Sequence, residues 1–240
     1  MSIPQIPEGS LLTAAAKAPK IDIETIAPEG TVLIVNPHPD DETFGCGLAM
    51  AAAAMKGRTI AIVLLTDGEG SHPDAKTFTP HELADLRSSE FARALRLLVP
   101  TRRVDVLRLH LPDGKSCYEP TLAGEVLKFA RARGVSAIWS TWDGDPHCDH
   151  ETAAALARNL AHHLKIPHWS FAVWGRFGER VVPSDLCTFD APILASRKRE
   201  AIAAYRSQID PNFIDDPGGF IMPTALVAHF AEHPEIFVCG

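Results

Sequence analysis

The chain has 240 residues, 46% hydrophobic and 22% charged, a balance that gives a buried core and excludes collagen-like, mucin-like and disordered chains. Lys and Arg number 23 against 30 Asp and Glu, leaving a net charge of -7. With no basic block to neutralise phosphates, nucleic acid is not an expected partner.

No repeat, low-complexity tract or linker divides the chain, so 1–240 reads as one domain, with 1–28 as an N-terminal extension. Thr31 to Asn36 (TVLIVN) predicts a strand, Gly45 to Lys56 a helix, Thr59 to Leu65 (TIAIVLL) a strand and Pro80 to Leu98 a helix. The alternation continues with a strand at Val104 to Leu109, a helix at Thr121 to Arg133 and a strand at Ser136 to Ser140. A helix at Asp149 to Leu164 and a strand at His168 to Trp174 follow. Beyond Val181 the pattern gives one or two edge strands, then a helix over Pro192 to Gln208. A Pro/Gly-rich loop over Pro211 to Gly219 and a short final element complete it. Several strands are apolar on both faces, which predicts an α/β fold with a doubly wound, mostly parallel sheet flanked by helices. Ligands of such sheets bind beyond the carboxyl ends of the strands.

The start, MSIPQIPEGS, lacks a basic stretch followed by an apolar one, and the longest apolar run, Leu48 to Met55, is too short to span a bilayer. Neither secretion nor membrane insertion is expected. Cys46, Cys117, Cys148, Cys187 and Cys239 form no CxxC pair and read as reduced thiols of a cytoplasmic protein.

Two clusters carry chemistry. After the first strand, NPHPDDETFGCG places His38, Asp40, Asp41 and Glu42 within five positions. Carboxylates crowded at a strand end repel one another and lose hydration, a conflict that a bound cation removes. After the fourth strand, DGDPHCDHE supplies His147, Asp149 and His150 at metal-ligand spacing. Two histidines and one carboxylate on a divalent ion leave a position open for water, the catalytic kind of zinc site.

PHPDDE at Pro37 to Glu42 and HCDH at His147 to His150 resemble the (A/P)HPDDE and HxDH motifs of the LmbE/PIG-L-like N-acetylglucosaminyl deacetylases. Weaker agreements are TDGE at Thr66 to Glu69, RSSEFARAL at Arg87 to Leu95, LPDG at Leu111 to Gly114 and YRSQ at Tyr205 to Gln208. The resemblance implies a Rossmann-like fold and a zinc-dependent N-deacetylase, with iron or manganese as alternative ions. Its substrate is then an N-acetylglucosamine-type amino sugar or glycoconjugate. By position it implies His38, Asp41 and His150 as metal ligands and Asp40 as general base. His147 becomes the oxyanion stabiliser, with Asp149 hydrogen-bonded to it and favouring its charged form. Either Asp40 or His147 protonates the leaving amine. Arg87, with Asp113 and His110 on the same rim, is a substrate-binding candidate; Arg87 and Glu90, at i and i+3, also read as a surface salt bridge. Cys148 stands at the variable position of HxDH, a soft donor between two histidines. The chain is compatible with a homo-oligomer.

Two other functions compete. Gly45-Cys46-Gly47 loosely imitates a dinucleotide fingerprint, but the third glycine is missing and three acids would face the pyrophosphate. A non-catalytic sugar- or metal-binding protein needs ligands but no spare carboxylate beside them, which Asp40 supplies. His72, His81, His162, His163, His168, His229 and His233 pair with nothing at ligand spacing. The stretches Glu69 to Pro80 and Asn212 to Met222 are expected to set specificity.

Overall fold

The strand TVLIVN becomes β1 (Thr31–Asn36), and all six residues are buried because helices cover both of its faces. Its side chains alternate between two cores, Val32 and Ile34 entering one and Leu33 and Val35 the other. The computed structural model describes residues 7–101 and 103–239, so residues 1–6 of the expected extension lie outside it. Before β1 come α1 (Ser10–Ala15) and α2 (Ile23–Ile26). After it run α3 (Asp41–Met55), β2 (Thr59–Leu64), α4 (Pro80–Leu98), β3 (Asp105–Arg108), α5 (Pro120–Ala132) and β4 (Val135–Thr141). Then follow α6 (Cys148–Leu164), β5 (His168–Phe171), β6 (Leu186–Phe189), α7 (Ala195–Ile202), α8 (Arg206–Ile209), α9 (Thr224–Glu232) and β7 (Glu235–Cys239). Among the described residues, no helix is long and apolar enough to cross a membrane.

The sheet order is β3-β2-β1-β4-β5-β7-β6. The first five strands are mutually parallel, and β7 runs antiparallel between β5 and β6. One domain with a mostly parallel sheet therefore matches the expected class. Chain order reverses between β1 and β4, and that junction is the topological switch point where open α/β sheets bind ligands. Both motif-bearing loops leave the sheet there.

Sequence boundaries hold where local chemistry fixes them. Helix α4 begins at Pro80 because Thr79 and Glu82 form a reciprocal capping box. The expected single helix from Pro192 to Gln208 is a 3-10 turn, α7 and α8, interrupted before Tyr205. The final element is a helix and a strand, α9 and β7.

Helix α3 begins four residues earlier than its Ala-rich run suggests and breaks at Cys46, where φ is -139° and ψ 23°. Gly45 permits this course: a Cβ there would stand 2.2 Å from the Phe171 ring. The break strands polar groups on both sides, and a buried ion pair takes them up. The Glu235 carboxylate accepts from the amides of Leu48 at 2.6 Å and Ala49 at 2.9 Å. Lys198 Nζ donates to Phe44 O at 2.9 Å and to Glu235 Oε1 at 2.7 Å. Both side chains are fully buried, and burial pulls the Lys198 ammonium below its ordinary value, against the pull of Glu235. Removing one partner of such a pair costs about 3–5 kcal/mol. Glu235→Ala is expected to destabilise the protein by that amount in denaturant unfolding; an unchanged midpoint would show that the pair does not hold the helix break.

Candidate metal centre

The loop after β1 turns tightly into α3, and Asp40 sits at the turn with φ 141° and ψ -30°, a conformation an L-residue holds only under strain. Across the switch point, His147 caps α6, its Nδ1 accepting the Asp149 amide at 3.2 Å. The N-termini of α3 and α6 thus converge, and their dipoles favour the carboxylates gathered between them.

His38 Nδ1 lies 3.1 Å and His150 Nε2 3.4 Å from the same oxygen, Asp41 Oδ2. Candidate ligand atoms of His38, Asp41 and His150 all fall within 4.8 Å of one another. His150 is fully buried, and its Nδ1 is held 2.8 Å from Asp145 Oδ2. Asp145 also accepts the Gly175 amide at 2.6 Å and the Val173 amide at 3.1 Å. With its proton on Nδ1 toward Asp145, His150 presents the Nε2 lone pair to Asp41, and that nitrogen has no hydrogen-bond partner. A lone pair facing a carboxylate oxygen is repulsive without a cation between them, so the donor set fits a divalent ion. Each of these two histidines is also backed by a carboxylate, His150 by Asp145 and His38 Nε2 by Asp149 Oδ2 at 2.9 Å, as metal-binding histidines commonly are. Burial pushes the Asp41 carboxyl up, but His150 and His38 outweigh it and hold the group below its ordinary value.

The Asp149 carboxylate does not bond His147, contrary to expectation. It turns to His38 and accepts from Gly114 N, Ser116 N and Ser116 Oγ at 2.7–2.9 Å. Nor does the structure favour an imidazolium at His147: burial first, then the neighbouring His38 and His150, lower it to about 4. With Nδ1 accepting, its Nε2–H is the donor that remains.

Asp40 stands apart from the triad's shared oxygen. Burial raises its carboxyl well above the usual range, while Arg87 opposes that rise. Arg87 is not half of a surface pair. It is buried, donating to Asp40 Oδ2 at 3.0 Å, Pro39 O at 2.8 Å and Gly68 O at 3.0 Å. Gly68, at φ 74°, leaves the guanidinium its space, since a Cβ would come 2.1 Å from Nη1. Glu90 instead accepts from Ser207 N and Oγ. Asp113 lies on the site, with Oδ1 3.1 Å from His38 Nε2 and Oδ2 accepting the Gly70 amide at 2.8 Å. His110 does not reach it; its side chain is 64% exposed and its Nδ1 meets Asp67. The Cys148 thiol faces Gly114 O and Asp149, and the metal-fitting group holds Asp41 in its place.

A cavity of about 410 Å³ opens over these residues, within the range of small-molecule sites. Gly70, Ser71 and Pro73 line one side, Gly218 to Phe220 and Met222 another, and Trp174 and Gln208 complete the wall. Both loop stretches singled out in the sequence therefore border it. Sequence reasoning missed Asp145, although it stands two residues before His147 and a ligand histidine ordinarily requires a carboxylate partner. It also missed Glu42 as a buried anchor, which accepts from Tyr205 Oη at 2.6 Å and Asn36 Nδ2 at 2.8 Å.

Fold and site together define an α/β protein with a histidine–carboxylate cluster that could hold a metal ion at the switch point of its sheet. The family model for PIG-L, GlcNAc-PI de-N-acetylase, matches residues 33–161, and the chain belongs to this family. A relative, 1D-myo-inositol 2-acetamido-2-deoxy-alpha-D-glucopyranoside deacetylase 2 of Saccharopolyspora erythraea, is 38% identical over 71 residues, 28% of this chain and 26% of the relative. The match thus spans about a quarter of that curated relative's length. N,N'-diacetylchitobiose deacetylase from Pyrococcus horikoshii superposes with a TM-score of 0.63 at 22% identity, covering 78% of this chain and 74% of its own. GalB, the 4-carboxy-2-hydroxymuconate hydratase of Pseudomonas putida KT2440, gives 0.62 at 20% identity, covering 75% and 80%. These two likenesses are of fold alone, and a hydratase on the same scaffold leaves the reaction to be argued from the site.

Asp145→Asn is expected to weaken divalent-metal affinity by about 10–100-fold, because it loosens His150 without removing a ligand. Equilibrium dialysis checks this, and affinity equal to wild type would make Asp145 a purely structural residue.

Proposed function

We propose that the chain is a metal-dependent hydrolase that removes the N-acetyl group from an N-acetylglucosamine-type amino sugar or its conjugate, giving acetate and the free amine. The observation that carries this reading is the orphaned Nε2 of buried His150, aimed at Asp41 beside a separate carboxylate, Asp40. The membership in a family described by de-N-acetylation supports it.

In this reading His38, Asp41 and His150 hold the ion, which we assign as zinc, with iron(II) or manganese(II) suited to the same donors. Such an ion supplies a Lewis acid that lowers the pKa of water towards neutrality and polarises the amide carbonyl. Asp40 takes the proton of the attacking water, and its raised pKa suits a base working near neutral pH. His147 donates its Nε2–H to the oxygen of the tetrahedral intermediate as a neutral imidazole. Asp40 then returns its proton to the leaving nitrogen as the C–N bond breaks. Asp113 and Gln208 offer polar contacts to sugar hydroxyls, and Trp174 with Phe220, ring centroids 5.7 Å apart, offers an apolar wall. All five cysteines are unpaired, which supports a cytoplasmic setting.

Asp40→Asn is expected to keep its metal while losing about 10²–10⁴-fold in deacetylation rate, read as acetate release from N-acetylated amino sugars. His38→Ala and His150→Ala are expected to lose the ion itself in elemental analysis. Substrate turnover by Asp40→Asn at the wild-type rate would remove Asp40 as the base.

Arg87 allows a pH test. A base must be ionised to act, so activity falls as pH drops through its pKa. Removing the Arg87 cation lets burial raise Asp40 further. Arg87→Gln is expected to move the acid limb of kcat/KM to higher pH by roughly one to three units. A limb at the wild-type position would mean that another group sets it.

A further inference from the structure

A second cavity, of about 530 Å³, lies at the β3 edge of the sheet, between that strand and the second half of α4. It shares no lining residue with the cavity over the metal-fitting group. Helix α4 supplies Phe91, Leu95 and Val99 at i, i+4 and i+8, all buried, and Val104 and Val106 line the facing side. From Phe91 to Val99 the helix rises about 12 Å, which gives the groove the length of an extended alkyl chain of roughly eight to ten carbons.

The two ends of the groove differ in charge. At the Phe91 end, Arg108 lies over the Phe91 ring, 5.7 Å from its centroid, and both of its terminal nitrogens are committed, to Asp67 Oδ1 at 2.7 Å and Ser88 Oγ at 2.8 Å. At the Val99 end, Arg96 and Arg103 line the rim, exposed, and neither makes a hydrogen bond or ion pair among the described residues. Two such cations repel each other and have no counter-charge within the molecule, although the chain as a whole carries a net charge of -7. Charges on an edge strand also deter pairing between copies. That role does not explain Arg96, which stands on α4, nor the apolar cavity beneath the pair.

We infer that this groove binds a medium-chain alkyl anion, a carboxylate or phosphate ester of about eight to ten carbons, with its acid group between Arg96 and Arg103 and its tail along Leu95 toward Phe91. Guanidinium forks give an anionic oxygen charge-assisted hydrogen bonds that a neutral head group cannot match. The tail contributes by leaving water for the floor of the groove. Arg108, already committed, closes the far end and takes no part in holding the acid. The inference goes beyond deacetylation and does not depend on a metal ion.

The test is isothermal titration calorimetry of the full chain with octanoate and, separately, octyl phosphate, which distinguish the two head groups, and with octan-1-ol and butyrate as controls. At least one of the two acids is expected to bind at one site per chain, and octan-1-ol and butyrate at least about tenfold more weakly. The double variant Arg96→Gln/Arg103→Gln is expected to weaken that binding at least about tenfold, with an unchanged midpoint in denaturant unfolding. Ala92→Trp, which fills the groove without altering a charge, is expected to abolish it. Failure of both acids to bind overturns the inference, and so does octan-1-ol binding as tightly as the acids. Wild-type affinity in the arginine double variant or in Ala92→Trp places the acid elsewhere on the molecule and overturns it as well.

Discussion

The structure depends on holding like charges close together. Asp40, Asp41, Asp113 and Asp149 are brought to one end of the sheet, mostly out of water, where isolated carboxylates would drive up one another's pKa values. Three devices make this arrangement tenable. Two helix N-termini point their positive ends at it, one arginine is buried against Asp40, and the His38 imidazole lies against Asp41, Asp113 and Asp149. The residual repulsion, lone pair against carboxylate at His150, is what suits the site to a cation. A site built this way is preorganised: its cost is met by the fold, and the groups need little rearrangement when an ion or substrate arrives.

The weaker motifs gain meaning in this light. Gly68 of TDGE receives Arg87, and Glu69 of the same run accepts the amide of Asp113. Glu90 of the α4 motif fixes Ser207, and Tyr205, two residues before it, reaches Glu42, the neighbour of Asp41. Segments scattered from residue 36 to residue 208 are thus tied by hydrogen bonds into one wall of the cavity.

Much of this was legible in the chain. Strands β1 and β2 announce themselves because burial on both faces demands nearly uninterrupted apolar residues, whereas their order in the sheet, and with it the switch point, is set by pairings that the sequence does not display. The ligand motifs are legible because dense like charge has few structural explanations. The first turn of α3 was not, because Asp41, Glu42 and Thr43 carry no apolar period; they are helical through the backbone bonds of Thr43 and Phe44 to Asp40 O. The partner of Asp149 could not be read either. Spacing places it beside His147, but side-chain direction at the start of α6 turns its carboxylate across the switch point to His38, 111 positions away. The break between α7 and α8 reflects a tertiary demand, the reach of Tyr205 to Glu42, that local propensity does not encode.

The mended break in α3 also bears on the order of events during synthesis. The segment carrying Asp41 is made before the carboxylate that takes up its stranded amides, which lies 187 positions downstream. Until Glu235 has been translated and β7 has slotted between β5 and β6, the nascent helix has unsatisfied amides at its kink, and its first turn has no fixed bearing. Assembly of the site therefore waits on a strand that follows all of its residues in the chain.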